Sequence, residues 1–443
     1  MIRPEVREPP PEVLSARRSA AAAALDDGVM LLVAAPLQYS SRDNERRYRP
    51  DSELYYLTGA TEPDTVAVLV GGPEPELVLF VRERDEAAEL WSGARLGPEA
   101  AAERFGADRC HPLSGLSDEL PALLRRGDRI HFRLGGGGPV ESLVLAALAH
   151  ARARGPRTGS GPRGVIDPGE ILDDLRLRKD EHELALLRTA AAVTLAGHRA
   201  GASTIAPGVG EWVVEAAVEG AFRVAGAAGP GFATIVGSGR NACVLHYVDN
   251  HDVITAGDLV LVDAGAACGL YNADVTRTYP AGGRFEGARR DVYEIVHAAL
   301  RAAVARVAPG AVTTDVHGAA TRVLVEGLVG LGVLSGDVNA LIEDEAYKPY
   351  YPHQTSHWLG LDLHDPGDYA RGGAPRELEP GMVFTVEPGL YFRGGDDGRA
   401  AAYEHVGVRI EDDVLVTEKG CEVLTADLPT DLHEVEALVR DGR

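Results

Sequence analysis

Residues 259–279, LVLVDAGAACGLYNADVTRTY, decide the fold of this 443-residue chain. The stretch holds two apolar runs, 259–262 and 275–279, with Asp263 after the first and Asp274 before the second. Short apolar runs interrupted by glycine predict buried β-strands. A carboxylate carried into a buried strand costs free energy unless it is paired, hydrogen-bonded or bound to a metal. This pair of acids is therefore the first indication of a functional site.

Two strands further along the chain repeat this arrangement. Residues 383–386 run into Glu387, and residues 406–410 lead into Glu411. Taken singly, each acid is most simply explained as a strand end that meets water or a backbone amide. Four such acids are harder to explain in that way. If they converge, their mutual repulsion requires cations between them.

A histidine-rich segment, HQTSHWLGLDLHD at residues 353–365, supplies a nitrogen ligand. Histidines at i and i+4 could form a zinc pair on a helix, but the preceding Tyr-Tyr-Pro and Gly360 argue against a helix, and HExxH is absent. Four carboxylates with one imidazole form an oxygen-rich set. Such a set favours manganese or a similar hard divalent ion over structural zinc.

The rest of the chain indicates two domains, as expected for its length. The first third alternates apolar strand-like runs with helical stretches, which predicts an α/β domain over residues 1–170. The breaker-rich stretch 155–169, GPRTGSGPRGVIDPG, predicts a linker. Helices and strands segregated around an antiparallel sheet then predict an α+β catalytic domain over residues 176–436.

Composition excludes several classes of partner. Hydrophobic residues make up 45% and charged residues 25% of the chain, and the formal net charge is −23. This charge repels nucleic acid and anionic membranes, so we expect no nucleic-acid or membrane partner. The four cysteines are scattered without a CxxC pair, which fits the reduced cytosol better than a disulfide framework. We therefore expect a cytoplasmic protein.

Five short motifs resemble the metal signatures of the proline-specific aminopeptidases, the aminopeptidase P and prolidase enzymes with the "pita-bread" fold. They are LVDAG (261–265), NADVTR (272–277), SHWLGLDLHD (356–365), TVEPGLY (385–391) and VRIED (408–412). Residues 44–64 and 89–97 are similar to the first domain of the same family. The resemblance therefore covers nearly the whole chain and implies two divalent metal ions in each subunit, with manganese the expected metal.

The resemblance also implies a role for each metal ligand. Asp263 binds one ion and Asp274 bridges both. His357 and Glu387 complete the shell of the other ion, and Glu411 bridges again. A hydroxide held between the two metals would be the nucleophile, as metal-assisted amide hydrolysis requires. Glu387 is also expected to help move the proton of that water.

Further residues are expected, by the same resemblance, to contact the substrate. His246 and His353 would line the proline side, with Arg409 nearby, and His364 would donate to the scissile carbonyl or its oxyanion. His246 is expected to act in catalysis together with His364 and Glu387. Tyr391 belongs to the same substrate-binding group. The alternative for the three histidines is ordinary polar packing around the site.

The activity implied is that of an Xaa-Pro aminopeptidase, which releases the N-terminal residue from peptides with proline at the second position. An Xaa-Pro dipeptidase (prolidase) is the close alternative within the class. A creatinase-like amidinohydrolase would lack the metal-binding acids, and a non-catalytic peptide-binding module would typically have lost ligands. The family resemblance also suggests a homodimer or homotetramer.

Overall fold

The chain folds as two compact units, with the boundary between Leu175 and Arg176. The computed structural model describes residues 8–395 and 398–442. We call the two parts the amino-terminal unit and the carboxy-terminal unit. Within the described residues, no helix combines the length and the hydrophobicity needed to cross a membrane.

The amino-terminal unit is built on one mixed sheet. Its strands are β1 (Val29–Val33), β2 (Tyr39–Ser41), β3 (Asn44–Glu45), β4 (Val66–Val70), β5 (Glu76–Val81), β6 (Arg109–Pro112), β7 (Arg129–His131) and β8 (Gly164–Ile166). The sheet has the order β6-β5-β4-β1-β7-β8, while β2 and β3 form a separate hairpin. Strand β4 runs antiparallel to β1 and β5, and the other pairs are parallel.

Helices cover this sheet because its central strands are apolar on both faces. All five residues of β4 are buried, as expected for a strand in the middle of an α/β sheet. The helices are α1 (Pro11–Leu25), α2 (Ser52–Thr58), α3 (Glu86–Ser92), α4 (Gly97–Phe105), α5 (Leu116–Leu124) and α6 (Gly138–Thr158). The predicted α/β class of this part of the chain is confirmed.

The stretch 155–169 is not the linker that its glycines and prolines suggested. Helix α6 continues to Thr158, and residues Gly164–Ile166 form β8. Strand β8 pairs in parallel with β7 at the edge of the sheet. The prediction was wrong because a three-residue edge strand is too short to leave a hydrophobic pattern.

The carboxy-terminal unit contains short antiparallel sheets and long helices, so the predicted α+β class is confirmed. Its strands are β9 (Gly229–Pro230), β10 (Ile235–Ser238), β11 (Leu259–Ala264), β12 (Ala266–Cys268), β13 (Tyr271–Asn272), β14 (Val275–Pro280), β15 (Ala370–Arg371), β16 (Ala374–Pro375), β17 (Val383–Val386), β18 (Gly389–Tyr391), β19 (Gly407–Arg409), β20 (Asp412–Thr417) and β21 (Gly420–Val423). They associate as β10-β11-β14, β13-β12-β9, β17-β20-β21, β18-β19 and β15-β16.

The helices of this unit pack their apolar faces against one extended core. They are α7 (Gly169–Leu177), which spans the boundary, α8 (Glu181–Ala202), α9 (Glu211–Val224), α10 (Ala288–Val304), α11 (Thr313–Gly330), α12 (Val338–Glu343) and α13 (Leu432–Asp441). Helix α8 begins at a capping box, in which Asp180 and Glu183 each accept from the other's backbone N–H. This satisfies donors that a helix start otherwise leaves unpaired.

Strand pairing brings the acids of the sequence motifs together. Strands β11 and β14 are antiparallel with Asp263 opposite Thr276, so Asp274, which precedes β14, lies at the same end. Strand β17 pairs with β20, which brings Glu387 after β17 close to Glu411 before β20. The Glu411 amide donates to the Thr276 carbonyl at 3.0 Å and joins the two sheets. The carboxylates therefore meet where strands from different sheets end.

Candidate metal centre

The four acids predicted from strand ends all line one cavity of about 480 Å³ in the carboxy-terminal unit. His246, His353, His357, His364 and Arg409 line the same cavity. The rest of the lining is mostly apolar, with Phe232, Ala233, Ile235, Leu245, Val248 and Leu363 alongside the polar Gln354 and Ser356. A pocket of this size with apolar walls and a few convergent polar groups is typical of a small-ligand site.

Asp274, His357 and Glu411 form the tightest part of the cluster. One potential ligand atom from each lies within 4.8 Å of the others. His357 Nε2 is 3.2 Å from Asp274 Oδ2 and 3.7 Å from Glu387 Oε1. Two carboxylates and an imidazole nitrogen at these separations can share a single divalent cation.

The two carboxylate oxygens of Asp263 have different surroundings. Its Oδ2 accepts from Arg409 Nη2 at 2.6 Å. Its Oδ1 is buried and has no hydrogen-bond partner in the described part of the chain. A buried polar atom without a partner is costly in a folded protein. Coordination of a cation would remove that cost, so this carboxylate fits a metal ligand.

The acids destabilise one another's charged forms. Burial, followed by the repulsion of neighbouring carboxylates, raises the pKa of Asp274 and that of Glu411 well above their ordinary values. Burial raises the pKa of Glu387 to about 7. A divalent cation among them would favour the ionised forms, because a nearby positive charge lowers a carboxyl pKa. The charge of this cluster therefore fits metal binding.

His357 is prepared to offer a lone pair. Burial lowers the pKa of His357 to about 4, so its imidazole is neutral at physiological pH. Its Nδ1 lies 3.0 Å from the Trp358 carbonyl oxygen, which can only accept a hydrogen bond, so Nδ1 carries the proton. Nε2 then carries no proton, and its lone pair points towards the acids. A metal-binding histidine is commonly oriented by such a bond from its other nitrogen.

The segment that carries His357 is extended, as its flanking residues suggested. The Thr385 amide donates to the His357 carbonyl at 2.9 Å, and the His357 amide donates to Thr385 Oγ1 at 3.1 Å. Trp358 forms an isolated antiparallel bridge with Phe384. This pairing with β17 places the imidazole next to Glu387, which follows that strand.

The other predicted residues surround this cluster. His353 Nε2 lies 2.9 Å from the Tyr391 hydroxyl, and Arg409 Nη1 donates to that hydroxyl at 3.0 Å. The rings of His357 and His364 lie 4.2 Å apart. Tyr391 is only 1% exposed and lies behind His353 and Arg409. It therefore contacts the residues that line the cavity.

Sequence reasoning missed two groups that support the site. Thr276 Oγ1 donates to Glu411 Oε2 at 2.6 Å and accepts from Arg409 Nε at 2.9 Å. Glu211 is fully buried and binds the segment that carries His246 through these donors: the Ser238 amide and hydroxyl, the Asn241 side-chain amide, the Tyr247 hydroxyl and the Asp252 amide. No local pattern marked either residue, although Thr276 stands inside a motif.

Oxygen-rich acids and a neutral imidazole that converge on one cavity are the donor set of a divalent metal site, and the family match gives that site its class. The model for metallopeptidase family M24 matches residues 185–418, and that for the aminopeptidase P N-terminal domain matches residues 14–131. The chain therefore belongs to metallopeptidase family M24, in the group that carries the aminopeptidase P N-terminal domain. The family resemblance seen in the sequence is confirmed, and the carboxy-terminal unit has the pita-bread fold.

Named relatives agree with this assignment. The chain is 40% identical to the Xaa-Pro aminopeptidase of Escherichia coli (strain K12) over 415 residues, which cover 93% of this chain and 94% of that protein. It is 30% identical to Xaa-Pro aminopeptidase 3 of Homo sapiens, covering 92% of this chain and 80% of the relative. The structure of Pseudomonas aeruginosa aminopeptidase PepP matches with a TM-score of 0.93 and 41% identity, covering 100% of this chain and 99% of that one.

Proposed function

We propose that this chain is an Xaa-Pro aminopeptidase that releases the N-terminal residue from peptides with proline at the second position. The observation that carries the proposal is the convergence of all five expected ligands, with the orphaned Oδ1 of Asp263, on a single cavity. The relatives that share 40% and 30% identity over most of the chain bear the same name. A binding module that had lost catalysis would not need this ligand set.

The five ligands fit two divalent ions. Asp263 would hold one, His357 and Glu387 the other, and Asp274 and Glu411 would serve both. When bound, a pair of ions lowers the pKa of a water held between them and stabilises the negative charge that develops on the scissile carbonyl. Oxygen ligands outnumber nitrogen here, so manganese is the metal we propose.

The residues around the ions would hold the peptide and move its protons. Glu387 would accept the proton of the attacking water. His364, next to His357, would donate to the carbonyl oxygen as it becomes an oxyanion. His246 and His353 would line the side that receives the proline, and Arg409 holds Asp263 and Tyr391 in place behind them.

An assay with two short peptides tests the function. The purified protein, loaded with manganese, should cleave Ala-Pro-Ala to alanine and Pro-Ala, and elemental analysis should find two metal ions in each chain. Hydrolysis confined to the dipeptide Ala-Pro would identify a prolidase. A chain without a stoichiometric metal pair and without activity on either peptide would contradict the proposal.

We further propose a homodimer or homotetramer in the cytoplasm. Leu90 and Trp91 are neighbours on α3 and are 81% and 89% exposed, and adjacent large apolar side chains on the surface suit a contact with another subunit. The cysteines within the described residues are free thiols, which suits a reducing compartment. Light scattering should give a multiple of the chain mass, and the double variant Leu90→Ser/Trp91→Ser should shift the protein towards the monomer. A wild-type monomer would refute the oligomer.

A further inference from the structure

One tightly folded loop follows His357 and contains His364. Residues 358–365, which we call the 358–365 loop, join His357 to His364 and end at Asp365. The Asp365 amide donates to the Trp358 carbonyl at 2.9 Å and closes the loop. The Asp362 amide donates to Asp365 Oδ1 at 3.0 Å. The Asp365 carboxylate therefore lies inside the loop that sets the spacing of the two imidazoles.

Two buried cations hold this carboxylate. Arg176 Nη2 donates to Asp365 Oδ1 at 2.6 Å, and Lys179 Nζ donates to Asp365 Oδ2 at 2.9 Å. The side chains of Arg176, Lys179 and Asp365 are only 2%, 1% and 1% exposed. Arg176 also binds Asp362 at 2.7 Å. Charges this well buried are stable only when each has a partner, so the arrangement is fixed.

Lys179 also ties this loop to the strand that carries another ligand. Its amide donates to the Gly381 carbonyl at 2.9 Å, and its neighbour Arg178 forms an antiparallel bridge with Met382. These residues lead directly into β17, which ends before Glu387. The backbone of Lys179 thus pairs with the residues just before β17, the strand that leads to Glu387. Its side chain contacts the loop that contains His364.

The choice of lysine at this position is unusual for the chain. The sequence contains 44 basic residues, and lysine occurs only at Lys179, Lys348 and Lys419. Space around the Lys179 side chain is tight, because a Cβ added to Gly360 would come within 2.9 Å of Lys179 Cε and 2.6 Å of Asp365 Oδ2. A compact ammonium on a slender stem suits this space better than a planar guanidinium.

His364 depends on the loop for its position. No hydrogen bond is formed by its imidazole to any of residues 8–395 and 398–442, and its ring packs on that of His357. We infer that Lys179, acting through Asp365, is a positioning residue that fixes the 358–365 loop so that His357 and His364 face the same reacting centre. This inference rests on the proposed function for the role of His364.

The variant Lys179→Met tests the inference, with Lys419→Met as its matched control at an exposed lysine. In Lys179→Met, Asp365 keeps Arg176 as a partner, so the protein should fold. Removal of a residue that orients ligands typically costs about 10- to 100-fold in activity or metal affinity. We expect kcat to fall by that factor with KM little changed, and the Kd for manganese measured by calorimetry to rise. The control should match the wild type in all three.

A second variant distinguishes loss of positioning from loss of folding. Lys179→Met/Asp365→Asn removes one charge of each sign, leaves Arg176 paired with Asp362, and should show the same loss of kcat and of manganese affinity. Wild-type values in either folded variant would overturn the inference. A loss that disappears when the assay is run well below Tm would also overturn it, since that is the mark of a purely structural role. A wild-type protein that cleaves no Xaa-Pro peptide would refute the proposed function instead, and manganese affinity would still test Lys179.

Discussion

Asp274 is the acid on which the cluster depends most. It lies 3.2 Å from His357 Nε2, and both Glu411 and Asp263 raise its pKa after burial does. We predict that Asp274→Asn lowers kcat at least about 100-fold and abolishes binding of the metal pair, because the amide keeps the shape but not the charge. Its apoprotein should unfold at no lower temperature than the wild-type apoprotein, since one buried like charge is gone. Peptide assays, elemental analysis and thermal melts measure these effects.

The control for this variant is Asp344→Asn, at an exposed aspartate after α12. It makes the same chemical change without touching the cavity and should behave as the wild type. Full activity in Asp274→Asn would show that this residue does not bridge the ions.

His198 should make the carboxy-terminal unit sensitive to acid. It is fully buried, its Nδ1 and Nε2 face Tyr279 Oη at 3.2 Å and the Ala264 carbonyl at 3.3 Å, and burial lowers its pKa to about 3. Between about pH 6.5 and pH 3, His198 therefore carries a proton in the unfolded chain but not in the folded one. The free energy of unfolding falls as the pH falls through that window. The slope is about 1.4 kcal/mol per pH unit.

Urea titrations at pH 6.5 and pH 5 measure this effect. His198→Gln can keep both hydrogen bonds without titrating, so its loss of stability over this interval should be smaller than the wild-type loss by about 2 kcal/mol. The exposed His433→Gln should leave the wild-type slope unchanged. Equal slopes in His198→Gln and the wild type would mean that the His198 pKa is not lowered.

At the level of single residues, the sequence predicted what a local pattern can reveal. Asp263 and Glu387 stood out because each ends a buried apolar run. Glu211 and Lys179 did not, because their partners lie elsewhere in the chain and only the fold brings them together: Lys179 meets Asp365 across 186 positions. A buried charge is visible in a sequence only when its immediate neighbours are apolar.

Among the elements, helices α8 and α9 pack closely because α8 presents glycine to α9. A Cβ on Gly197 would lie 2.2 Å from Phe222 Cε1, and one on Gly201 would lie 2.6 Å from Val218 Cγ2. We predict that Gly197→Ala destabilises the unit by about 1–3 kcal/mol, because overpacking outweighs the better helix propensity of alanine. Urea unfolding measures the change.

Gly220→Ala on α9 is the matched control. A Cβ there meets nothing within 4 Å. The free energy of unfolding of this variant should therefore rise by about 0.5–1 kcal/mol, because alanine restricts the backbone of the unfolded chain more than glycine does. If both alanines stabilise the protein, the close contact between the helices is not a constraint.

Periodicity predicted the long elements better than the short ones. The strands expected over residues 259–262, 275–279 and 383–386 are β11, β14 and β17. The two-residue strands β9 and β13 and the three-residue strand β8 were not predicted, because so few residues show no alternation of apolar and polar side chains. Their pairing depends on partners far along the chain, and sequence alone does not supply those partners.

For the whole molecule, we predict that metal binding stabilises the two units unequally. Each unit has its own hydrophobic core, and the expected ligands all belong to the carboxy-terminal unit. Manganese at 100 times its Kd should stabilise that unit by about 2.7 kcal/mol. Amides of β11 and β14 that exchange by unfolding should then exchange about 100-fold more slowly than after chelation, while amides of β1 and β4 keep their rates. Hydrogen exchange read by mass spectrometry resolves these strands.

The comparison has an internal control in Asp274→Asn, which should show no slowing when manganese is added, because it lacks the bridging charge. Equal slowing in β1 and β4 would mean that the two units unfold as one, and the effect of the metal would then extend over the whole chain. Unchanged rates in β11 and β14 of the wild type would mean that the acids do not gather around ions at all. The slowing is expected because Asp263 Oδ1 is buried without a hydrogen-bond partner among the described residues, and coordination of a cation would remove the cost of that oxygen.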